Sequence, residues 1–244
     1  MLGALETRGV HESDLSGVCG SPAFADCVAA YVRSQAQPLV ETPSQQHAHA
    51  IMGDHFFGPE EVHRLCGAPF GGESLRQLDC VPFREGTLLE CRDTHVLFAG
   101  FPFSIRRMHA RRRSFFRPLE NARFDSFVRD ERVDLRWYLM RRTFTPLEQT
   151  FDEQRLSLRG FEEVPLACEV AFMGLLYRLS QRRNLFRDIR ILCGDIVRDS
   201  GHDGLCRTFI QGDDRGISFG KICPRSDRSR SAIAVARKES GSCS

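Results

Sequence analysis

The sequence predicts an α+β domain: a mostly antiparallel sheet packed on one long buried helix, with short additional helices. Three observations carry this. An apolar segment beginning at Pro165 has helix-type boundaries at both ends, two apolar runs around Val96 and Leu139 read as strands, and three β-like runs follow the helix in succession. Helices and strands are therefore partly segregated along the chain, which favours α+β over an alternating order.

Taken in order, residues 1–52 mix Gly, Ser, Pro, Gln and Ala and read as a poorly structured N-terminal tail, with one short helix over 22–35. The single domain, 53–225, opens with a helix signature. Gly58 precedes Pro59 at the first helical position, Glu60 and Glu61 place negative charge beside the exposed amides, and Gly67 stops the helix. Val96, Leu97, Phe98 and Ala99 form a continuous apolar run ended by Gly100 and Pro102, the pattern of a buried strand. The run 137–144 is β-rich and ends before Pro146, giving a second strand.

Thr150 and Glu153 have the spacing of a capping box, whose two side chains satisfy free amides at a helix start, so a helix follows over 151–158. The helix from Pro165 has Glu162 and Glu163 before it and Arg182 and Arg183 after it, charges that suit the helix dipole at both ends. It is apolar nearly all round from Cys168 to Leu179, as a buried helix is. The runs 188–193, 205–211 and 217–223, separated by Gly- and Asp-rich turns, predict an antiparallel meander. Residues 226–244 turn to Ser, Arg and Ala and read as a loose C-terminal tail.

Composition bounds the function classes. A hydrophobic fraction of 41% with 19 Phe supplies a core, which excludes a wholly disordered chain. The net charge is only +2, and all but Lys221 and Lys238 of the 34 basic residues are arginine. Guanidinium forks suit carboxylate and phosphate, but a lopsided Arg content also follows from coding composition. Residues 1–14 carry three acids and no apolar run, unlike a secretory signal. The longest apolar stretch, 164–177, is broken by Glu169 and falls short of the ~20 residues that span a bilayer, so no membrane partner is expected. Ten cysteines without a C-x-x-C pair predict reduced, mostly buried thiols and a cytoplasmic location.

Four segments resemble motifs of an uncharacterised bacterial protein family: 93–105 (DTHVLFAGFPFSI), 137–146 (WYLMRRTFTP), 151–154 (FDEQ) and 162–167 (EEVPLA). The resemblance runs roughly from Gly58 to Lys238 and implies no known activity. Arg142 stands where that family usually has Lys and Phe151 where it has Trp, and the turn 199–204 is poorer in Asp, which weakens a metal loop there.

Two sets of residues are candidates for function. The segment 104–142 holds 12 Arg against 5 acids, interleaved with phenylalanines. Arg111, Arg112, Arg113, Phe115 and Phe116 could therefore pair with phosphates and stack on bases of a nucleic acid. The same mixture arises when Phe fills a core while Arg reaches water, and no nucleic-acid-binding motif accompanies it. The second set is a His/carboxylate cluster for acid and base catalysis of a hydrolase-like reaction: His95, Asp93, Asp152 and Glu162, with Arg141, Glu153 and Glu163 nearby if the first two strands are neighbours. Against it, Glu153 already has a capping role, Glu162 and Glu163 suit a helix start, and Asp93 reads as the end of a loop.

His63, Cys66, Cys80, Cys91 and His95 fit no standard zinc spacing, and Asp195, Asp199, Asp203, Asp213 and Asp214 form no calcium loop, so no metal and no cofactor are expected. Phosphate-loop, dinucleotide, nucleophile-elbow and zincin motifs are absent from the sequence. The sequence favours a binding or structural module over an enzyme and assigns neither a specific partner nor an oligomeric state.

Overall fold

The computed structural model describes residues 39–119, 126–198, 205–213, 215–222 and 231–239. The chain divides into two compact units, Met1–Val40 and Glu41–Ser244, and the elements below belong to the second. The short helix expected over 22–35 lies outside the described residues.

In chain order the elements are α1 (Pro43–Met52), β1 (Phe56–Phe57), α2 (Pro59–Cys66), α3 (Gly72–Leu78), α4 (Glu85–Cys91), β2 (His95–Ala99), α5 (Ile105–Arg111), α6 (Ser126–Arg129), β3 (Trp137–Arg141), α7 (Phe151–Leu156), β4 (Glu162–Glu163), α8 (Ala167–Gln181), β5 (Arg190–Arg198), β6 (Leu205–Asp213), β7 (Gly216–Ile222), β8 (Ser231–Ile233) and β9 (Ala236–Arg237). The strands form two sheets, one in the order β1-β2-β3-β9-β4 and one in the order β7-β6-β5-β8.

The architecture is α+β, but the expectation of one mostly antiparallel sheet on one long helix is corrected. Each sheet contains a parallel pair, β1 with β2 and β5 with β8, so both are mixed. The parallel partners are strands of two and three residues, too short to leave a period in the sequence. The expected meander is present as the antiparallel run β5-β6-β7, with a register shift in β5 between Leu192 and Ile196.

The helix after Pro165 is α8, a four-turn element of 15 residues rather than a long rod, buried from Ala167 through Tyr177. It touches both sheets. Phe172 meets Phe98 of β2 with ring centroids 6.0 Å apart, and Tyr138 of β3 donates its hydroxyl to Glu169 at 2.7 Å. From the other sheet, Asp195 of β5 accepts the amide of Ala167 at 2.7 Å, which caps the helix start. Gly174 is where α8 comes closest to the buried Phe186 ring, whose edge occupies the space a Cβ would take. Glu169 also accepts the Leu166 amide at 2.8 Å and lies 3.6 Å from Arg136, so this lone acid on an apolar helix has partners on every side.

Two boundaries differ from the sequence reading. Residues 43–52, assigned to the N-terminal tail, are α1. Its start is a capping box between Thr42 and Gln45 with Pro43 in the first turn, and Gln45 is itself buried, donating to the Leu78 carbonyl at 2.8 Å. Residues 231–237, assigned to the loose C-terminal tail, supply a strand to each sheet, with Ser231, Ala232, Ala234, Val235 and Ala236 all buried.

Cys66, Cys91, Cys168 and Cys193 are free and buried, as reduced thiols would be. Cys80 and Cys206, however, are disulfide-bonded, which corrects the expectation of a wholly reduced set. Among the described residues no helix is long and apolar enough to cross a membrane.

Candidate functional site

Strand register brings four charged or polar side chains to neighbouring positions on the first sheet. His95 of β2 is opposite Arg141 of β3, Arg237 of β9 is opposite Leu139 of β3, and Glu162 of β4 is opposite Arg237. The link between β8 and β9 crosses from one sheet to the other. Ala234 donates to Leu192 of β5 at 2.9 Å, and one residue later Val235 accepts from the Arg141 amide at 2.9 Å.

This switch of sheets leaves a cavity of about 510 Å3 beside it. Its lining includes the charged or polar Glu90, Thr94, His95, Arg141, Arg159, Glu162 and Arg237 and the apolar Phe144, Leu147, Leu158, Ala232, Ile233 and Val235. Gln154 of α7 fastens the apolar side. Its amide nitrogen donates to the carbonyls of Gln149 and Ser231 at 3.1 and 3.2 Å, and its oxygen accepts from the Ile233 amide at 3.0 Å. A neighbouring cavity of similar size shares Leu158, Arg159 and Glu162 and continues toward Phe151 and Arg207, whose guanidinium sits 4.3 Å from the Phe151 ring centroid.

The charges in the main cavity are unequally committed. Glu162 holds Arg141 at 3.0 Å and also accepts the Arg159 amide at 2.9 Å, so both carboxylate oxygens are used. Arg237 makes a long contact of 3.8 Å to Glu90, whose side chain is 71% exposed, hydrogen-bonds Cys91, and packs its guanidinium 4.3 Å from the Phe161 ring centroid; the guanidinium of Arg159 pairs with no acid among the described residues. The Nε of Arg237 is buried without a hydrogen-bond partner.

His95 is 4% exposed, with Nδ1 2.8 Å from Thr94 Oγ1 and Nε2 buried and unpartnered. Burial first, then the positive charges of Arg141 and Arg237, push its pKa down to about 4, so the imidazole is neutral near pH 7. A buried polar atom left without a partner costs roughly 1–3 kcal/mol. Two such nitrogens belong to residues that line the same cavity, and neither atom presents surface to it.

Of the residues singled out in the sequence, His95, Arg141 and Glu162 meet here. Asp93 and Asp152 do not: both are exposed and neither lines the cavity. Asp152 sits in the first turn of α7, Glu153 closes the capping box with Thr150, and Glu163 pairs with Arg136 at 3.0 Å. The His/carboxylate cluster is thereby corrected to one imidazole and one carboxylate, and that carboxylate is already neutralised by Arg141.

Four of the five nucleic-acid candidates have local partners in the fold. Arg111 donates to the carbonyls of Cys66 and Gly67 at 3.0 Å, and Arg112 to that of Leu65 at 2.8 Å, so both satisfy the carbonyl end of α2. Phe115 and Phe116 are buried at 7% and 4% exposure and pack edge to face on each other, which leaves no stacking surface; Arg113 alone of the set is exposed without such a role. Among the described residues no group of three or more His, Cys, Asp or Glu is placed to hold a metal ion. Asp213 pairs with Arg117, and Asp199, Asp203 and Asp214 lie outside the described residues.

Arg237, Arg159 and the β8–β9 link were missed in the sequence. The available signal was the unbroken apolar run 232–236 (AIAVA), which reads as a buried strand once the tail composition around it is set aside. The four motif segments meet at this cavity: they form β2, β3, the start of α7, and β4 with the start of α8, and they contribute His95, Arg141, Gln154 and Glu162 to its lining. No protein-family model, curated protein or solved structure matches the chain.

Proposed function

We propose that this chain is a binding module whose ligand site is the cavity beside the β8–β9 link. The observation that carries the reading is the cavity of about 510 Å3 whose lining sets three guanidinium groups, Arg141, Arg159 and Arg237, against two carboxylates, Glu90 and Glu162, with Arg159 paired to no acid among the described residues. An anionic ligand there balances the excess positive charge of the lining. A hydrolase-like enzyme is supported less. It rests on the neutral His95 alone as a proton acceptor, because Glu162 is committed to Arg141 and Asp93 and Asp152 lie elsewhere. A nucleic-acid partner is supported less still, since the arginines at 111 and 112 are occupied by carbonyls.

Membership of the uncharacterised bacterial family belongs to the same proposal, supported by the meeting of its four motif segments at the cavity. So does the cytoplasmic location. The four free buried thiols suit it, and the disulfide bonds at Cys80 and Cys206 weigh against it. The binding reading is tested by a thermal-shift screen of small polar metabolites against the wild type and the Arg237→Met variant. Compounds that stabilise the first and not the second are expected, and a screen in which no compound distinguishes the two would sink the proposal.

A further inference from the structure

Resting on that reading, we infer that the ligand is a phosphate monoester, its phosphate seated in the neighbouring cavity among Arg155, Arg159, Arg207 and Lys238 and its organic part running past Leu158 into the first cavity. Charge places the phosphate. Those four cations line the neighbouring cavity, and its two acids, Glu162 and Glu163, are held at 3.0 Å by Arg141 and Arg136, neither of which lines it. Among the described residues none of the four cations is in ion-pair contact with an acid, and Asp152 and Asp195 act on Arg207 only through space.

The four also come from separate segments: Arg155 from α7, Arg159 from the chain after it, Arg207 from β6 and Lys238 from the residue after β9. Arg155 and Arg159 are exposed and Arg207 is half-buried, so a ligand in the cavity reaches their charged ends. Arg207 donates to the Gly194 carbonyl at 3.0 Å and Lys238 to that of Gly160 at 3.0 Å, each with further N–H groups to offer. Burial lowers the Arg207 pKa, Asp152 opposes this, and the charge of Arg155 lowers it further, so the two guanidiniums repel across the space an anion would fill. A carboxylate brings one negative charge and two oxygens to this cluster. A phosphate monoester brings about 1.5 to 2 charges and three acceptor oxygens, which donors from several directions can share.

The organic part follows from what the two cavities have in common. Leu158, Arg159 and Glu162 line both, and Leu158 leads from the Phe151 ring, on which Arg207 packs at 4.3 Å, to the apolar side chains Phe144, Ile233 and Val235 of the first. At about 510 Å3 each, the cavities have the size of small-molecule sites, and inorganic phosphate would leave the apolar lining against water.

The test titrates the wild-type chain calorimetrically, near pH 8, with phenyl phosphate, phenyl sulfate and inorganic phosphate. Phenyl phosphate is expected to bind saturably, about tenfold or more tighter than phenyl sulfate, which has the same oxygens and a single charge, and tighter than inorganic phosphate. Arg155→Gln and Arg159→Gln alter exposed side chains and are each expected to weaken phenyl phosphate roughly tenfold, the size of one charge-assisted hydrogen bond. Arg132→Gln removes the same charge outside both linings and is expected to leave the affinity unchanged. Phenyl sulfate binding as tightly as the phosphate overturns the phosphate assignment and leaves an anion site standing. Inorganic phosphate binding as tightly as the ester overturns the organic part, and an Arg132→Gln loss equal to the other two overturns the placement. Absence of phenyl phosphate binding overturns the inference as a whole, and the metabolite screen above then decides separately whether the first cavity binds anything.

Discussion

Replacing Asp195 by alanine removes a side chain that joins the start of α8 to the second sheet. Asp195 is 6% exposed, and its Oδ2 accepts from the Ala167 amide at 2.7 Å and from the Thr208 hydroxyl at 2.9 Å. Ala167 and Thr208 are both fully buried, so water does not replace the lost acceptor. Two stranded donors cost roughly 1–3 kcal/mol each, and removing a buried carboxylate whose Oδ1 already lacks a partner returns part of that. A net loss of about 2–3 kcal/mol follows, or roughly 4–12 °C in Tm for a domain of this size. Urea unfolding is expected to show a lower midpoint with the slope unchanged. Asp195→Asn keeps an oxygen acceptor for both donors and is expected to cost less than half as much.

The pH dependence has a definite sign. Burial raises the Asp195 pKa above its ordinary 3.8, against the hydrogen bonds from Ala167 and Thr208 and the charge of Arg207, which lower it. The folded state therefore holds its proton more tightly than the unfolded chain. The stability tied to that proton is present below the ordinary carboxylate range and is lost as pH rises through the raised value. Glu169, also raised chiefly by burial, contributes in the same direction. The Asn variant is expected to flatten this slope. An alanine variant within about 0.5 kcal/mol of wild type, or an Asn variant as damaging as Ala, would refute the assignment of Asp195 as the cap of α8.

His95 is expected to titrate near pH 4 in the ligand-free protein, well below 6.5, and NMR of the ring gives the midpoint directly. Between those values the unfolded chain binds more protons, so this contribution to stability is present above pH 6.5 and lost as pH falls toward 4; a midpoint near 6.5 would mean the ring is not buried beside Arg141 and Arg237. Deleting residues 226–244 is expected to abolish cooperative unfolding, because it removes β8, β9 and four pairing or crossing contacts, to β3, β4, β5 and Leu147; a truncated chain with native-like circular dichroism and thermal transition contradicts the topology. Changing Arg111, Arg112 and Arg113 together to Ala is expected to lower stability by about 1–3 kcal/mol through the uncapped carbonyls of α2, with Arg113→Ala alone near neutral. Salt-dependent retention on nucleic acid that the triple change eliminates would restore the interface reading.

The elements legible in the sequence are those specified by neighbours a few residues apart. The capping box at Thr150 forms with the Glu153 carboxylate 2.7 Å from the Thr150 amide, Gly67 adopts the left-handed φ of 64° that ends α2, and Val96 to Ala99 are fully buried, as a continuous apolar run requires. α1 reads as linker in the sequence because only Gln45, Ala48 and Met52 are buried in a polar run, which leaves no apolar period, although Thr42 and Gln45 have the capping-box spacing. β8 and β9 were read as tail because three and two residues set no period, and each is a strand only by virtue of partners far along the chain.

The same division explains which part of the site could be seen. Carboxylates at helix starts answer local needs, which is why Asp152, Glu153 and Glu163 do not converge on His95 although they lie close in the sequence to residues that do. His95, Arg141 and Glu162 sit on adjacent or near-adjacent strands, and the pairing of β2 with β3 alone brings the first two together. Arg237 depends on β9 being inserted between β3 and β4, a non-local fact with no sequence signature of its own. That insertion also denies Arg237 a close acid: in the β9 register its neighbours are Leu139 on one side and Glu162 on the other, and Glu162 is drawn to Arg141. The place of Arg237 in the cavity lining is thus a product of topology, so a change that shifts the β9 register should alter ligand binding before it alters the fold of the meander, which shares no strand with it.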